Sequence, residues 1–265
     1  MAVSAEELGT RMGGGQRIRL LSYNIQVGIP TQGFHHYLTH SWRHLLPSRK
    51  RQENLRRIAR FIGQFDIIGL QEVDAGSLRS GYINQAEYLA REAGLPHCYH
   101  KTNRDLGHLA QHSLAVLSRF PARVARHHRL PGRIPGRGAL ELHYGSPGQP
   151  LVLVLIHLSL GRRARRVQLE YIAEVVASHR HVIVMGDLNC TPDSDELCLL
   201  LDRAGLAEPP HRENTYPSWR PRRSYDHILV SPSLEVRKTR VYPRFYSDHL
   251  PVCVEIGLPA EVGHL

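Results

Sequence analysis

Acidic residues that neighbour a histidine or an amide stand at the ends of several apolar, strand-like runs in this sequence. The pairs are Gln71-Glu72 after DIIGL, Asp187 with Asn189 after VIVM, Asp226-His227 before ILVS, and Asp248-His249 before VCVEI. A rigid scaffold can bring strand ends together at one cleft. Carboxylates and imidazoles at such a cleft can hold a cation, orient water and transfer protons, so the pattern predicts a hydrolytic site.

Each of these positions, taken alone, also has an ordinary structural explanation. A glutamate at a strand end, such as Glu72, is usually just solvated, and Asp187 could simply begin a turn. His157, within LVLVLIHLSL, could be a hydrogen-bonded core histidine, and Asp226 with the histidine after it could form a turn. The sequence Asp-His-Leu-Pro beginning at Asp248 has no generic structural need. It is therefore the strongest single indication of a functional site.

The elements that would position these residues are strands and helices. Apolar runs with Pro and Gly between them predict strands over residues 17–25, 66–73, 113–120, 123–130, 138–145, 151–158, 181–188, 224–231, 234–242 and 250–258. Amphipathic periodicity predicts two helices, one over 49–64 with Leu55, Ile58, Ala59 and Ile62 on one face, and one over 164–179 with Val167, Ile172, Val175 and Val176 apolar. Further helices are predicted over 84–94 and from Ser194 or Asp195 to Leu201.

This order of elements favours one α+β domain. Many strands, few helices and an irregular alternation fit a layered α+β sandwich better than a βαβ repeat. We predict that the domain covers 17–258, between a flexible N-terminal arm (1–16) and a C-terminal tail (259–265). Neither GxGxxG nor GxxxxGK[ST] occurs, which argues against dinucleotide and P-loop nucleotide sites.

Composition predicts a soluble globular protein in the cytoplasm. The hydrophobic fraction of 42% and charged fraction of 22% are ordinary for that class. No run approaches the ~20 apolar residues of a membrane span, and the N-terminus lacks the apolar segment of a secretory signal. Four cysteines (Cys98, Cys190, Cys198 and Cys253) form neither a CxxC pair nor a zinc-binding spacing. Reduced thiols are therefore expected.

The net charge of +10 at pH 7 suggests a polyanionic partner or an anionic surface. Arg-rich segments at 129–139, 161–166 and 218–223 adjoin the motif-bearing strands, where they could capture a polyanion or be a solvated surface. The segment 34–50 carries Tyr37 and Trp42, and covering a sheet edge is favoured for it over contact with lipid or a partner. No obligate protein partner is indicated.

Taken together, the motifs follow an order that is known from one superfamily. The order is Asn24, Gln71-Glu72, His157, Asp187 with Asn189, Asp226, and Ser247-Asp248-His249 with Pro251. This arrangement resembles the endonuclease/exonuclease/phosphatase superfamily, which has the DNase I-like fold. The resemblance implies a four-layer α/β/β/α sandwich and a divalent-metal phosphodiesterase or phosphatase, most often using Mg²⁺, with Mn²⁺ as a second possibility.

The same resemblance implies a role for each motif residue. Glu72, with help from Asn24 and Asp248, would be the metal ligands, since Mg²⁺ prefers hard oxygen donors. His249, oriented by Asp226, would face the phosphate, either to activate water or as an imidazolium. The remaining catalytic residues are Asp187, which would orient or deprotonate water, Asn189, which would hold a phosphoryl oxygen, and His157, which would contact phosphate or protonate the leaving group.

The substrate class stays open between two kinds of phosphoester. The positive charge favours a nuclease slightly. The alternative is a phosphodiesterase or phosphatase for phospholipids or small molecules near a membrane, and the GRGAL strand resembles bacterial metal-dependent hydrolases of the superfamily related to GPI-anchor remodelling proteins. Gln26 stands where AP endonucleases have an Asp, which weakens a DNA-repair role, and Leu114 stands where many members have an Asn. No catalytic position is replaced, which argues against a non-catalytic binding module.

Overall fold

A computed structural model describes residues 16–29, 49–77, 80, 82–105, 111–132, 137–210 and 213–265, and these residues form two mixed β-sheets. In chain order the strands are β1 (Arg17–Asn24), β2 (Ile67–Val73), β3 (His97–Asp105), β4 (Gln111–Ser118), β5 (Val124–Arg129), β6 (Gly138–Tyr144), β7 (Leu151–His157), β8 (His181–Asp187), β9 (Asp226–Val230), β10 (Glu235–Val241) and β11 (Val252–Gly257). The first sheet has the order β10-β11-β1-β2-β4-β3 and the second has the order β5-β6-β7-β8-β9.

Four α-helices of the described part cover the outer faces of the sheets. They are α1 (Arg49–Ile62), α2 (Gln85–Ala93), α3 (Arg162–Val176) and α4 (Asp195–Ala204). Helices α1 and α2 pack on the first sheet, and α3 and α4 pack on the second. A third apolar cluster fills the space between the two sheets. The α+β sandwich with four layers, expected from the resemblance, is confirmed.

The helices form where the sequence pattern predicts them. In α1 the residues Leu55, Ile58, Ala59 and Ile62 are buried against β1, β2 and β4, so the predicted apolar face is confirmed. Helix α2 begins after Asn84, whose side chain accepts hydrogen bonds from two backbone amides of the first turn. Helix α4 begins after Ser194, whose hydroxyl accepts a hydrogen bond from the backbone amide of Leu197, and continues three residues past the predicted end at Leu201.

One apolar residue of the predicted pattern in α3 is not buried against the sheet. Val167 of α3 is 47% exposed, whereas Ile172 and Val176 are buried. Helix α3 begins at Arg162 and ends at Val176, earlier at both ends than the predicted 164–179, and Val167 points away from the sheet. Strand β3 was not predicted at all, because its sequence HCYHKTNRD has no apolar run.

Several predicted segments lie partly outside the described residues. These are the N-terminal arm, of which only residue 16 is described, the 34–50 segment before residue 49, and residues 133–136 of the first Arg-rich segment. The C-terminal residues 259–265 include a 3₁₀ turn (Ala260–Val262), and Val262 is buried at the edge of the cluster between the sheets. No helix among the described residues is both long and apolar enough to cross a bilayer.

Gly186, the residue before Asp187, permits a close approach of strands β7 and β8. Its φ is +147°, and a Cβ there would lie 1.9 Å from the backbone oxygen of Ile156. We expect Gly186→Ala to lower the free energy of unfolding by at least about 3 kcal/mol, because it adds a backbone clash to an unfavourable φ. Urea denaturation measures this change.

Gly148→Ala is the matched control for that substitution. A Cβ at Gly148 would meet nothing within 4 Å, so the free energy of unfolding should change by less than about 0.5 kcal/mol. Equal stabilities of the Gly186→Ala and Gly148→Ala proteins would contradict the close approach of β7 and β8.

Candidate active site

The motif residues meet because both sheets present strand ends at the same edge. In the first sheet β1 and β2 are parallel, and Asn24 pairs with Gln71 at their carboxyl ends. In the second sheet β7 and β8 are parallel, and His157 pairs with Asp187. Asp226, the first residue of antiparallel β9, pairs with Asp187 from the other side. Three neighbouring strands therefore place His157, Asp187 and Asp226 side by side.

Glu72 reaches this edge through an irregularity in β2. The pairing of β2 with β4 shifts register between Leu70 and Val73, and Glu72 has a φ of +55°. Such bulges commonly turn a side chain out of the regular alternation beside an active site. The Glu72 carboxylate is 27% exposed, and its Oε1 lies 3.9 Å from Nε2 of His157.

The buried carboxylate of Asp187 joins the two sheets. Its Oδ2 accepts a hydrogen bond of 3.0 Å from Nδ2 of Asn24, which belongs to the other sheet. The same oxygen lies 3.5 Å from Nε2 of His157 and 3.7 Å from Nε2 of His249. Burial raises the pKa of Asp187 to about 6, although the positive charge of His249 opposes this rise.

His249 is oriented by a buried carboxylate. Its Nδ1 lies 2.8 Å from Oδ2 of Asp226, which fixes the ring with Nε2 towards Asp187. Burial disfavours charge on the imidazole, but the carboxylates of Asp226 and Asp187 outweigh it and raise the pKa of His249 well above its ordinary value. The predicted hydrogen bond between Asp226 and His249 is present.

Asn189 lies beside Asp187 in a tight turn. It has a φ of +52°, and its backbone amide donates to Oδ1 of Asp187 at 3.0 Å. Its Nδ2 donates to the backbone oxygen of Leu158 at 3.0 Å. One amide hydrogen of Nδ2 is thus used to link the turns after β7 and β8, and the second hydrogen remains for another acceptor.

Glu72, Asp248 and Asn24 form an oxygen-rich group that suits a divalent cation. Burial and the nearby charge of Asp248 raise the pKa of Glu72, while the positive charge of His249 and a hydrogen bond from Asn24 lower it. Asp248 is itself buried, and its Oδ1 accepts a hydrogen bond from Ser247 at 3.1 Å. A cation would relieve the repulsion between these two carboxylates, and three oxygen-bearing side chains match the preference of Mg²⁺.

A second group of possible ligands lies next to the first. Asp187, Asp226 and His249 each offer one ligand atom, and these three atoms lie within 4.8 Å of one another. Oδ1 of Asp226 is buried and has no hydrogen-bond partner among the described residues. The site as a whole therefore has more carboxylate charge than its own histidines neutralise, which fits a divalent cation.

Tyr216 belongs to the site although the sequence analysis does not name it. The ring of Tyr216 lies 4.8 Å from that of His249, centroid to centroid. Its loop is tied to the His249 turn by backbone hydrogen bonds from Ser218 to Asp248 at 2.7 Å and from Leu250 to Thr215 at 2.8 Å. An aromatic residue in a loop rich in polar residues gives no signal of this contact in sequence.

His227, which the sequence shows as the neighbour of Asp226, has a structural role that the sequence did not indicate. Its Nδ1 lies 2.6 Å from Glu208 and its Nε2 lies 2.9 Å from the backbone oxygen of Cys190. The side chain is fully buried, so this pair of hydrogen bonds holds the turn that contains Asn189 against β9. Asp226 and His227 begin a strand and do not form a turn.

Comparison with known proteins decides the family. The family model described as Endonuclease/Exonuclease/phosphatase family matches residues 21–249. The chain belongs to this family. The membership expected from the ordered motifs is therefore confirmed, and the protein is a phosphoric ester hydrolase whose family depends on divalent metals. No curated protein matches the chain in sequence.

Solved structures of the family have the same fold. An endonuclease/exonuclease/phosphatase from Beutenbergia cavernae is 22% identical with a TM-score of 0.69, covering 92% of this chain and 72% of that one. A mannosyl-6-phosphatase from Bacteroides thetaiotaomicron is 18% identical with a TM-score of 0.67, covering 90% and 99%. The human nocturnin catalytic domain is 17% identical with a TM-score of 0.65, covering 92% and 95%.

The two departures from the superfamily pattern have different surroundings. Leu114 is buried in the cluster between the sheets, so its side chain does not line the site. Gln26 stands two residues after the site residue Asn24, and its backbone amide donates to Oδ1 of Asn24 at 3.1 Å. Its φ of +43° marks a sharp bend at the end of β1. Position 26 therefore adjoins the oxygen-rich group without supplying a carboxylate to it.

Proposed function

We propose that this hydrolase uses Mg²⁺ and an attacking water to cleave a phosphodiester, and that the phosphodiester belongs to nucleic acid. The observation that carries the proposal is the position of His249, held by Asp226 on one ring nitrogen and facing Asp187 with the other. The oxygen-rich group of Glu72, Asp248 and Asn24 adjoins this triad. Both groups lie at one edge of the two sheets.

Glu72 and Asp248 are the anionic ligands in this proposal, and Asn24 supports them. The Asn24 amide donates to Asp187 at 3.0 Å and also donates to Glu72. It therefore keeps the carboxylates of Asp187 and Glu72 at a fixed separation. Mn²⁺ can replace Mg²⁺ because both accept oxygen ligands. When bound, the cation neutralises phosphate charge and stabilises the leaving oxygen.

His249 serves as a hydrogen-bond donor to a phosphoryl oxygen. Asp226 holds the ring by Nδ1 at 2.8 Å, which leaves the Nε2–H to point into the site. A charged donor placed where negative charge develops lowers the barrier more than a neutral one. Tyr216 packs on the imidazole and limits its rotation.

Asp187 orients the attacking water and accepts its proton. Its Oδ2 is the point where Asn24, His157 and His249 converge, so a water bound there has a fixed direction. His157 lies between Asp187 and Glu72 and contacts the phosphate or the leaving group. Asn189 holds a phosphoryl oxygen through the second hydrogen of Nδ2.

Arginines beside the site support a polyanionic substrate. Arg162, Arg165 and Arg223 line a cavity of about 320 Å³ together with Asn189 and Tyr225. Arg165 pairs with the buried Glu196 at 2.7 Å and Arg162 pairs with Asp195, whereas Arg223 bonds the Tyr225 hydroxyl at 2.7 Å and is the arginine of the three that a phosphate would meet. Two of the three Arg-rich segments therefore meet beside Asn189, at the edge of the sheets that holds the motif residues. A nucleic-acid backbone would pass there.

The test is cleavage of a labelled oligonucleotide with Mg²⁺ over a range of salt. With two phosphate contacts, raising salt from about 50 to about 200 mM should lower kcat/KM about tenfold. Arg223→Ala should reduce the slope of log kcat/KM against log salt by about one and leave hydrolysis of a small aryl phosphodiester unchanged.

Arg180→Ala is the matched control for Arg223→Ala. Arg180 is an exposed arginine before β8, at the end of the strand opposite Asp187, so its loss should leave the salt slope unchanged. Cleavage of phospholipid vesicles or of a sugar phosphate, with no cleavage of oligonucleotides at low salt, would overturn the nucleic-acid proposal. Such a result would favour the phospholipid or small-molecule alternative and leave the hydrolytic site in place.

A further inference from the structure

A second group of histidines surrounds a buried glutamate on the outer face of the second sheet. Along β6, Leu140, Leu142 and Tyr144 point into the cluster between the sheets. Glu141 and His143 alternate with them and therefore point outward, towards the layer of α3. Glu141 is only 2% exposed, which is unusual for a carboxylate and requires partners.

The partners of Glu141 come from two strands. Its Oε2 lies 2.6 Å from Nε2 of His128 in β5, and its Oε1 contacts Nε2 of His143. Arg126 also reaches Oε1, at 3.1 Å, but its side chain is 59% exposed. Nδ1 of His128 in turn lies 2.9 Å from the hydroxyl of Tyr171 in α3.

His179, just after α3, completes the group. Its ring lies 5.1 Å from that of His143, centroid to centroid, and nearly perpendicular to it. Burial and the charge of His143 lower the pKa of His179, so the neutral imidazole is favoured. A neutral imidazole is the form that binds metals.

This group is separate from the hydrolytic site. Glu141 pairs with Val154 in β7, three residues before His157, and its side chain lies on the face of the sheet, not at its edge. None of the roles proposed for hydrolysis involves these residues. His128 and His143 already satisfy one oxygen of Glu141 each, so the approach of His179 as a third imidazole goes beyond what burial of the carboxylate requires.

We propose that Glu141, His143 and His179 bind a transition-metal cation of the Zn²⁺ class. Each residue offers one ligand atom, and the three atoms lie within 4.8 Å of one another. In a tetrahedral zinc site with bonds of about 2.0–2.1 Å, ligand atoms are roughly 3.4 Å apart, so modest rotations of the side chains form the site. Two imidazoles and one carboxylate select Zn²⁺, Co²⁺ or Ni²⁺ over Mg²⁺.

The neighbours of the three ligands fit this role. His128 holds the second oxygen of Glu141, and Tyr171 fixes the ring of His128. Outer partners of this kind orient metal ligands and strengthen binding. Binding replaces the hydrogen bond between Glu141 and His143, and the exposed Arg126 can move away into solvent. The bound cation would tie strand β6 to the end of α3.

The test is titration of the untagged, chelator-treated protein with Zn²⁺ and with Co²⁺. Isothermal calorimetry should show binding, and Co²⁺ should give the visible absorption of a tetrahedral site. At a hundredfold excess over Kd, Zn²⁺ should raise the midpoint of thermal unfolding by about 5 °C. These readouts do not require phosphoester hydrolysis.

Single substitutions assign the binding to this group. His179→Ala and the isosteric Glu141→Gln should each weaken Zn²⁺ binding at least about tenfold. His127→Ala is the matched control, because His127 lies on β5 between Arg126 and His128 and points to the opposite side of the strand. His249→Ala removes a possible Zn²⁺ ligand of the hydrolytic site and should leave this binding intact.

The outcomes separate the two sites. Binding that survives in His249→Ala and is lost in His179→Ala supports the proposal. Binding that is lost in His249→Ala and unchanged in both His179→Ala and Glu141→Gln assigns Zn²⁺ to the hydrolytic site and overturns it. Absence of Zn²⁺ and Co²⁺ binding by the wild-type protein overturns it as well, and neither result bears on the proposed nuclease activity.

Discussion

EDTA is expected to abolish phosphoester hydrolysis by this enzyme, and excess Mg²⁺ or Mn²⁺ is expected to restore it. Asp248 is buried and Glu72 is partly buried, and desolvation together with the charge of Asp248 raises the pKa of Glu72. Without a cation this negative charge repels the phosphate that must bind. Steady-state hydrolysis of an activated phosphodiester, measured before and after chelation, tests the expectation.

A substitution in the ligand group makes the metal test specific. Glu72→Gln keeps the shape of the side chain and removes its charge, so the Mg²⁺ concentration for half-maximal activity should rise at least about tenfold. Circular dichroism should show the same fold in EDTA as in Mg²⁺. Full activity in EDTA, or an unchanged Mg²⁺ requirement of Glu72→Gln, would contradict the assignment of Glu72 as a metal ligand.

His249→Ala and Asp187→Ala are each expected to lower kcat by at least about 10²-fold with the fold intact. The first removes the donor that Asp226 holds in place at 2.8 Å, and the second removes the carboxylate on which Asn24 and His157 converge. Because both residues would act in the same chemical step, the double variant should lose much less than the product of the two single losses.

His181 provides a matched control for these substitutions. It is a buried histidine in β8, at the end opposite Asp187, and its Nδ1 bonds Ser233 at 2.9 Å. His181→Asn should keep kcat within about twofold of the wild type, even if it lowers the unfolding temperature. Near-wild-type hydrolysis by either His249→Ala or Asp187→Ala would refute the assigned roles.

Much of the fold follows from local apolar patterns. Buried runs such as LVLVLIH (β7) and HVIVMGD (β8) give strong strand signals, and α1 shows a clear apolar face. Strand β3 cannot be predicted from an apolar pattern, because it forms through its pairing with β4 and not through its own composition. Val167 shows the opposite failure, since an apolar residue at nearly the right spacing still lies outside the contact with the sheet.

The candidate site residues were predictable as a set because their order along the chain resembles one superfamily. The place of Tyr216 and the partners of His227 were not, because His249, Glu208 and Cys190 are brought to them by tertiary folding alone. Glu141 and His143 have the spacing of a solvated strand face, and nothing local indicates that His128 and His179 approach them. A group of this kind cannot be predicted from local sequence, because its members lie far apart along the chain.

The hydrogen bond from Asn24 to Asp187 joins the first β-sheet to the second, so its geometry depends on how the two sheets are positioned relative to each other. Gly69 lets those layers come together, because a Cβ there would meet Leu155 and Met185 at 2.6 Å. A slip of one layer over the other by a fraction of an ångström would misalign donors and acceptors that no substitution had touched. The turnover rate should therefore depend on how tightly the two sheets pack against each other, although the residues between them do not contact the substrate.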